Sequence, residues 1–154
     1  MRLSTQSRYG VRAIFDMVYN SKGMEAQVKD ISRRQGISPR YLEQIFQKLK
    51  KAGILGSKRG PAGGYFLNKK PETITVGDIV KITEGTLNPV LCHPFKHSVN
   101  PCPRINNCVT HFVWEEAGKR LEDYFQSVSI QDLCAMACDM GLKRVLDEED
   151  VLSP

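Results

Sequence analysis

The chain has 154 residues, 41% hydrophobic and 25% charged, which excludes wholesale disorder and allows one good core. No apolar run approaches the roughly 18 residues needed to cross a bilayer, and Met1-Arg2-Leu3-Ser4 opens no signal core, so a soluble cytoplasmic protein without membrane contact is expected. The net charge of +5 divides unevenly, +11 over residues 1–70 and −6 over residues 71–154, as if one end meets a polyanion.

The first helix is predicted over about Ser7–Asn20, where Val11, Ile14, Phe15 and Val18 repeat at the spacing of a core-facing stripe. A short helix follows over Val28–Arg34, and Gly36 supplies a turn. Ser38 fits an N-cap and Pro39 the first helical position; Leu42, Ile45, Phe46 and Leu49 then form a second stripe that Gly53 stops. Short helix, glycine turn and capped second helix is the order of a helix-turn-helix. The opposite face of the second helix carries Arg40, Glu43, Gln44, Gln47, Lys48 and Lys51, which can bond phosphates or base edges. Gln44 suits a bidentate adenine contact, and Glu43 either selects a cytosine amine or pairs with Lys48 or Arg40.

Residues 54–59 and 65–67 read as two strands around Gly60-Pro61-Ala62-Gly63-Gly64, a hairpin placed as a wing, with Lys58 and Arg59 at its base. Thr75 caps a further helix in which Val76, Ile79 and Val80 pack under the winged unit. After an irregular stretch to about Cys108, a long helix runs to roughly Ser127. Trp114, Ala117, Leu121, Tyr124 and Val128 repeat at alternating steps of three and four, a seam read as a homodimer interface. Ser129 caps a last short helix through about Met140, followed by an acidic tail. The fold class is therefore mainly α with a small β-wing: a winged helix-turn-helix plus a long dimerisation helix.

Five cysteines in a chain without a secretion signal argue against a disulfide framework. Three of them form Cys92-x9-Cys102-x5-Cys108-x2-His111. Thiolates with one imidazole suit an iron–sulfur cluster or zinc, though none of the gaps has the close pairing usual in structural zinc sites; free thiols are the third reading. His93 and His97 lie in the same loop and read as ordinary exposed histidines. Cys134 and Cys138, four apart on the final helix, read as small packed cysteines, with a redox pair or second metal site as the alternative. No nucleotide loop and no acid–base or nucleophile–base arrangement stands out, so neither an enzyme nor a small-molecule substrate is expected.

Arg2-Leu3-Ser4, Arg8-Tyr9, Asp30-Ile31-Ser32, Gln35-Gly36-Ile37-Ser38, Tyr41-Leu42-Glu43-Gln44, Arg59-Gly60-Pro61-Ala62-Gly63-Gly64-Tyr65 and Val76-Gly77-Asp78-Ile79 together resemble the IscR/NsrR family of bacterial winged-helix regulators, from Met1 to about Leu133. The resemblance implies a dimeric repressor on a palindromic double-stranded operator. Its DNA-facing set would be Arg2, Ser38, Arg40, Tyr41, Glu43, Gln44, Lys48, Lys58, Arg59, Gly60, Gly63 and Gly64. Cys108-Val109-Thr110-His111 followed by Trp114 is similar to the branch that holds a 2Fe–2S cluster on three cysteines and one histidine, here Cys92, Cys102, Cys108 and His111. The first ligand gap is longer than is usual in that branch, at a closure cost of roughly a few tenths of a kcal/mol. The nitric-oxide-sensing 4Fe–4S branch and a zinc-stabilised DNA-binding protein are the alternatives; Arg8 stands where the former can carry an acidic ligand. Residues 1–84 would form the DNA-binding domain, 85–111 the cluster loop, 112–140 the dimerisation helix with the short helix, and 141–154 the tail.

Overall fold

The computed structural model describes residues 3–21, 24–61, 63–85, 87 and 102–145. Among the described residues six helices and one hairpin follow in order: α1 Thr5–Ser21, α2 Val28–Gln35, α3 Pro39–Lys51, β1 Leu55–Lys58, β2 Gly64–Leu67, α4 Val76–Glu84, α5 Val109–Ser127 and α6 Ile130–Asp139. Single 3-10 turns at Pro71–Thr73 and Ile105–Asn107 precede α4 and α5.

Local chemistry sets most boundaries. Ser38 accepts from the Tyr41 amide at 3.3 Å, and Pro39 opens α3 where no N–H is needed. Thr75 with Asp78, and Ser129 with Asp132, form reciprocal capping boxes that start α4 and α6. Gly36, in the left-handed region at φ 64°, makes the turn between α2 and α3. Helix α1 starts two residues before the expected Ser7, because Ser4 accepts the Arg8 and Ser7 amides.

The main core takes in the whole second predicted stripe but only Ile14 of the first, whose Val11, Phe15 and Val18 are half-buried. Ile14, Ile31, Leu42, Ile45, Phe46, Leu49, Leu55, Ile74, Ile79 and Ile130 are essentially inaccessible to solvent. Each such side chain contributes about 1.5–3 kcal/mol of burial. Ile130 belongs to α6, so the C-terminal helix is part of the winged unit's packing. A smaller cluster of Tyr19, Cys134 and Ala137, with Phe15 and Val18 against it, joins α6 to α1. The strands pair antiparallel, Leu55 opposite Leu67 and Lys58 opposite Gly64.

A strap closes the far side. The Val76 amide donates to Val128 O and the Ile130 amide to Ile74 O, both at 2.8 Å, so the α5–α6 junction is bonded to the chain entering α4. Beside it the Thr75 hydroxyl donates to Gln126 Oε1 at 2.8 Å. A buried carboxylate locks the other side: Asp16, 1% exposed, takes a two-pronged contact from Arg34 at 2.7 and 3.0 Å, with Asn20 and Gln35 also donating to it.

Candidate functional site

Helix α3 buries Leu42, Ile45, Phe46 and Leu49, and its spacing therefore exposes Arg40, Glu43, Gln44, Gln47, Lys48 and Lys51 together. Ser38, at the cap, is exposed as well. Tyr41 is half-buried, edge-on to Tyr9 with ring centroids 6.0 Å apart. Lys48 reaches the N-terminal turn by donating to Gln6 Oε1. Arg2 lies outside the described residues.

The wing stands next to this face. Lys58, Arg59 and Gly60 are exposed, and Lys58 pairs with Glu25 at 3.3 Å. Gly63 and Gly64 are where side chains cannot go. A Cβ on Gly63 would lie 2.3 Å from Lys58 O, and one on Gly64 2.5 Å from Ala26 O. That closeness lets Tyr65 and Ala26 exchange two backbone hydrogen bonds of 2.9 Å, fixing the wing to the α1–α2 connection. Two cross-links then tie wing to helix: Lys50 to Ser57 at 2.6 Å and Gln47 to the Tyr65 hydroxyl at 3.1 Å. The role of Tyr65 leaves no local mark in the sequence, because this β2 residue is placed by contacts with Ala26, Phe46 and Gln47, all distant along the chain.

The cysteine segment leads into α5. Cys102 and Cys108, both half-buried, bracket the 3-10 turn, and His111 is buried in the first turn of α5. Its amide donates to Cys108 O at 3.1 Å, and its ring Nε2 lies 3.6 Å from Glu115 Oε2. The Cys108 sulfur is 3.1 Å from the Thr110 hydroxyl; that contact, with the His111 amide behind it, holds the thiol below its ordinary range. Cys92, His93 and His97 lie outside the described residues. Among the described residues no three His, Cys, Asp or Glu side chains converge as a metal-holding group. Among the described residues, Cys102 and Cys108 thus flank the 3-10 turn, and His111 follows in the first turn of α5.

Helix α5 packs on α4, where Glu122 pairs with Lys81 at 3.8 Å and Gln126 lies against Gly77; along it Gly118 is buried and Leu121 and Phe125 are half-buried. Of the five seam residues, Ala117 and Tyr124 are exposed, Trp114 is 43% exposed and Leu121 half-buried. Val128 follows the helix end, where its carbonyl belongs to the strap. Val109, Phe112 and Val113 add an exposed apolar strip at the ligand end.

A capped recognition helix with a polar, basic outer face, a glycine wing clamped beside it and an N-terminal charge of +11 define a winged-helix DNA-binding regulator of transcription. Residues 3–136 match the Rrf2 model, described as an iron-dependent transcriptional regulator, and the chain belongs to that family. It is 34% identical over 151 residues to the HTH-type transcriptional regulator IscR of Aliivibrio salmonicida (strain LFI1238), spanning 98% of this chain and 86% of the relative. Against the IscR of Escherichia coli O1:K1 it is 35% identical over 133 residues, 86% of this chain and 80% of the relative. Among solved structures, T. potens IscR superposes with a TM-score of 0.71 at 32% identity, covering 96% of each chain. CymR, the global cysteine regulator of B. subtilis, superposes at 0.66 with 28% identity, covering 88% of this chain and 98% of that one. No helix among the described residues is long and apolar enough to cross a membrane.

Proposed function

We propose that the protein is a cytoplasmic homodimeric repressor whose grip on a palindromic operator is set by a 2Fe–2S cluster on Cys92, Cys102, Cys108 and His111. One observation carries the reading. Cys108 and His111 begin the same helix that packs on α4 and whose far end is strapped to the start of α4. Order in the ligand segment is thereby mechanically continuous with the DNA-binding unit.

The donors fit the group. Two accessible thiols, one of them favoured as thiolate by its own helix start, and an imidazole held by its helix are soft and borderline ligands of the kind such clusters take. The cluster would supply a redox-sensitive, oxygen-sensitive link between the loop and α5. The chain's residues do the rest: α5 holds His111 in place, the strap holds α5 to α4, and α3 presents its outer face to the groove. Loss of order at the ligands shifts the population of the arrangement that fits two half-sites.

The test is anaerobic purification followed by iron and sulfide analysis, then operator binding with and without iron. About two irons and two sulfides per chain, with thermal or DNA-binding changes on their removal, support the reading. About four of each move it to the nitric-oxide-sensing branch. One zinc with no iron after anaerobic reconstitution overturns the cluster and leaves a zinc-stabilised DNA-binding protein.

A further inference from the structure

We propose that Tyr65 is a specificity-determining positioning residue that holds Gln47 ready to read an adenine edge in the major groove. The proposal rests on DNA binding alone, not on the cluster.

Three contacts fix the Tyr65 ring. Its backbone is held on one side by β1, opposite Ser57, and on the other by the paired bonds to Ala26. The Gly64–Ala26 approach leaves that segment no room to shift. The ring itself stands edge-on to Phe46, with centroids 4.9 Å apart, and Phe46 is fully buried on the inner side of α3. A ring so held puts its hydroxyl at the outer face of the recognition helix, where it accepts a hydrogen bond of 3.1 Å from Gln47 Nε2. Glu43, one turn earlier on α3, is close enough that its charge, after burial of the ring, helps to hold the phenol above its usual range.

The consequence follows from counting donors. A glutamine amide has two N–H groups and one carbonyl oxygen. With one N–H engaged by Tyr65, Gln47 keeps one donor and one acceptor, the pair a bidentate contact to adenine N6 and N7 requires. Gln47 is otherwise an exposed, flexible side chain that would lose its rotamer freedom on meeting DNA. Tyr65 removes much of that loss beforehand, and it orients the amide, which a glutamine alone does not. Gln47 thus joins Gln44 as a base reader, and the wing becomes part of the reading apparatus.

The preferred duplex is first selected from a randomised library with the full-length protein. Affinity is then measured for that duplex, for random-sequence duplex, and for versions carrying 7-deazaadenine in place of each adenine, which deletes only the N7 acceptor. Wild-type protein is expected to lose about three- to tenfold at an adenine facing Gln47, the worth of one hydrogen bond. Gln47→Ala and Tyr65→Phe should both lose the penalty at that same adenine, and the double variant should show no further change there. The ratio of specific to random-sequence binding separates this effect from loss of DNA binding as such. Thermal unfolding confirms that Tyr65→Phe folds; Gln47, being exposed, provides the second variant if it does not. An unchanged penalty in either variant, or no adenine whose N7 matters to wild type beyond those lost in Gln44→Ala, overturns the proposal.

Discussion

At the scale of single residues, two ion pairs show how burial decides what a charge is worth. Asp16 is sealed between α1 and α2 with three side chains, Arg34, Asn20 and Gln35, donating to its carboxylate, whereas Lys58 and Glu25 meet in solvent with side chains 64% and 37% exposed. Removing one member of a buried pair strands the other, at about 3–5 kcal/mol; an exposed pair is worth well under about 1 kcal/mol. Asp16→Ala is therefore expected to lower stability by about 3 kcal/mol, the low end because the Arg34 side chain is 19% exposed and can turn to water. Glu25→Ala should leave stability nearly unchanged. Urea unfolding of both variants decides it, and equal losses would mean that Asp16 is not the lock described. The sequence offered little warning of this lock, because Asp16 sits beside an apolar stripe and its partner Arg34 is 18 positions away. Nothing local distinguishes an acid that will be buried from one that will be solvated.

Among elements, what was legible was what local chemistry controls. Ser38-Pro39, Thr75 with Asp78 and Ser129 with Asp132 announce helix starts through hydrogen bonds spanning three residues, and the structure places α3, α4 and α6 there. What was not legible was how elements meet. The alternating spacing on α5 states that the helix has apolar positions but not which neighbour each faces; Leu121 is half-buried while Tyr124 is exposed. The strap of Val76 to Val128 joins residues 52 positions apart and leaves no mark on either segment. A second such link joins α4 to the N-terminal turn. Glu84, the last residue of α4, accepts from the Ser4 amide at 2.6 Å and from the buried Ser7 hydroxyl at 2.5 Å. Burial alone would raise this carboxyl, but the serine donors together outweigh it and hold it below the ordinary carboxylate range. A depressed folded value means the link contributes above the unfolded carboxyl's titration and is lost as pH falls through the folded value. Glu84→Gln should thus be less stable than wild type at neutral pH, by about 0.5–1 kcal/mol after solvent screening, with the gap closing as pH falls through and below the ordinary carboxylate range. Denaturation curves of the two proteins across that range, subtracted pairwise, isolate this group from the other carboxylates; a gap independent of pH would show that the charge of Glu84 is not what holds the N-terminal turn.

At the scale of the whole molecule, the longest helix carries a broad exposed apolar strip among the described residues. Helix α5, 19 residues and so about 28 Å long, packs one face on α4 and leaves Val109, Phe112, Val113 and Tyr124 exposed, at 80%, 68%, 60% and 63%. Buried side chains of this size are worth about 1.5–3 kcal/mol each, so leaving the strip wet forgoes much of what a small protein's stability consists of. A second copy of the same helix would cover it in the proposed dimer, since a two-fold axis sets the same apolar patch of both copies face to face. In the proposed dimer that arrangement would also set the operator's length: two recognition helices related by a two-fold axis would read half-sites about 34 Å apart, which one winged unit cannot do. The strip begins beside Cys108 and His111, so the same helix would carry ligand and partner. To keep the two roles apart, the charge belongs at both ends separately: Val113→Glu near the ligands and Tyr124→Glu about three and a half turns from His111. Both variants are expected to sediment as monomers at micromolar concentration, while wild type sediments as a dimer. Each should bind a palindromic duplex no more tightly than an isolated half-site, losing roughly tenfold or more through the broken linkage between sites. Tyr124→Glu should keep the iron content of wild type, because its position is remote from every proposed ligand. If Val113→Glu alone dissociates the protein, the contact is confined to the ligand end of α5, and the helix's far half serves only to brace α4. If neither does, the dimer forms through another surface and α5 is a strut within one chain.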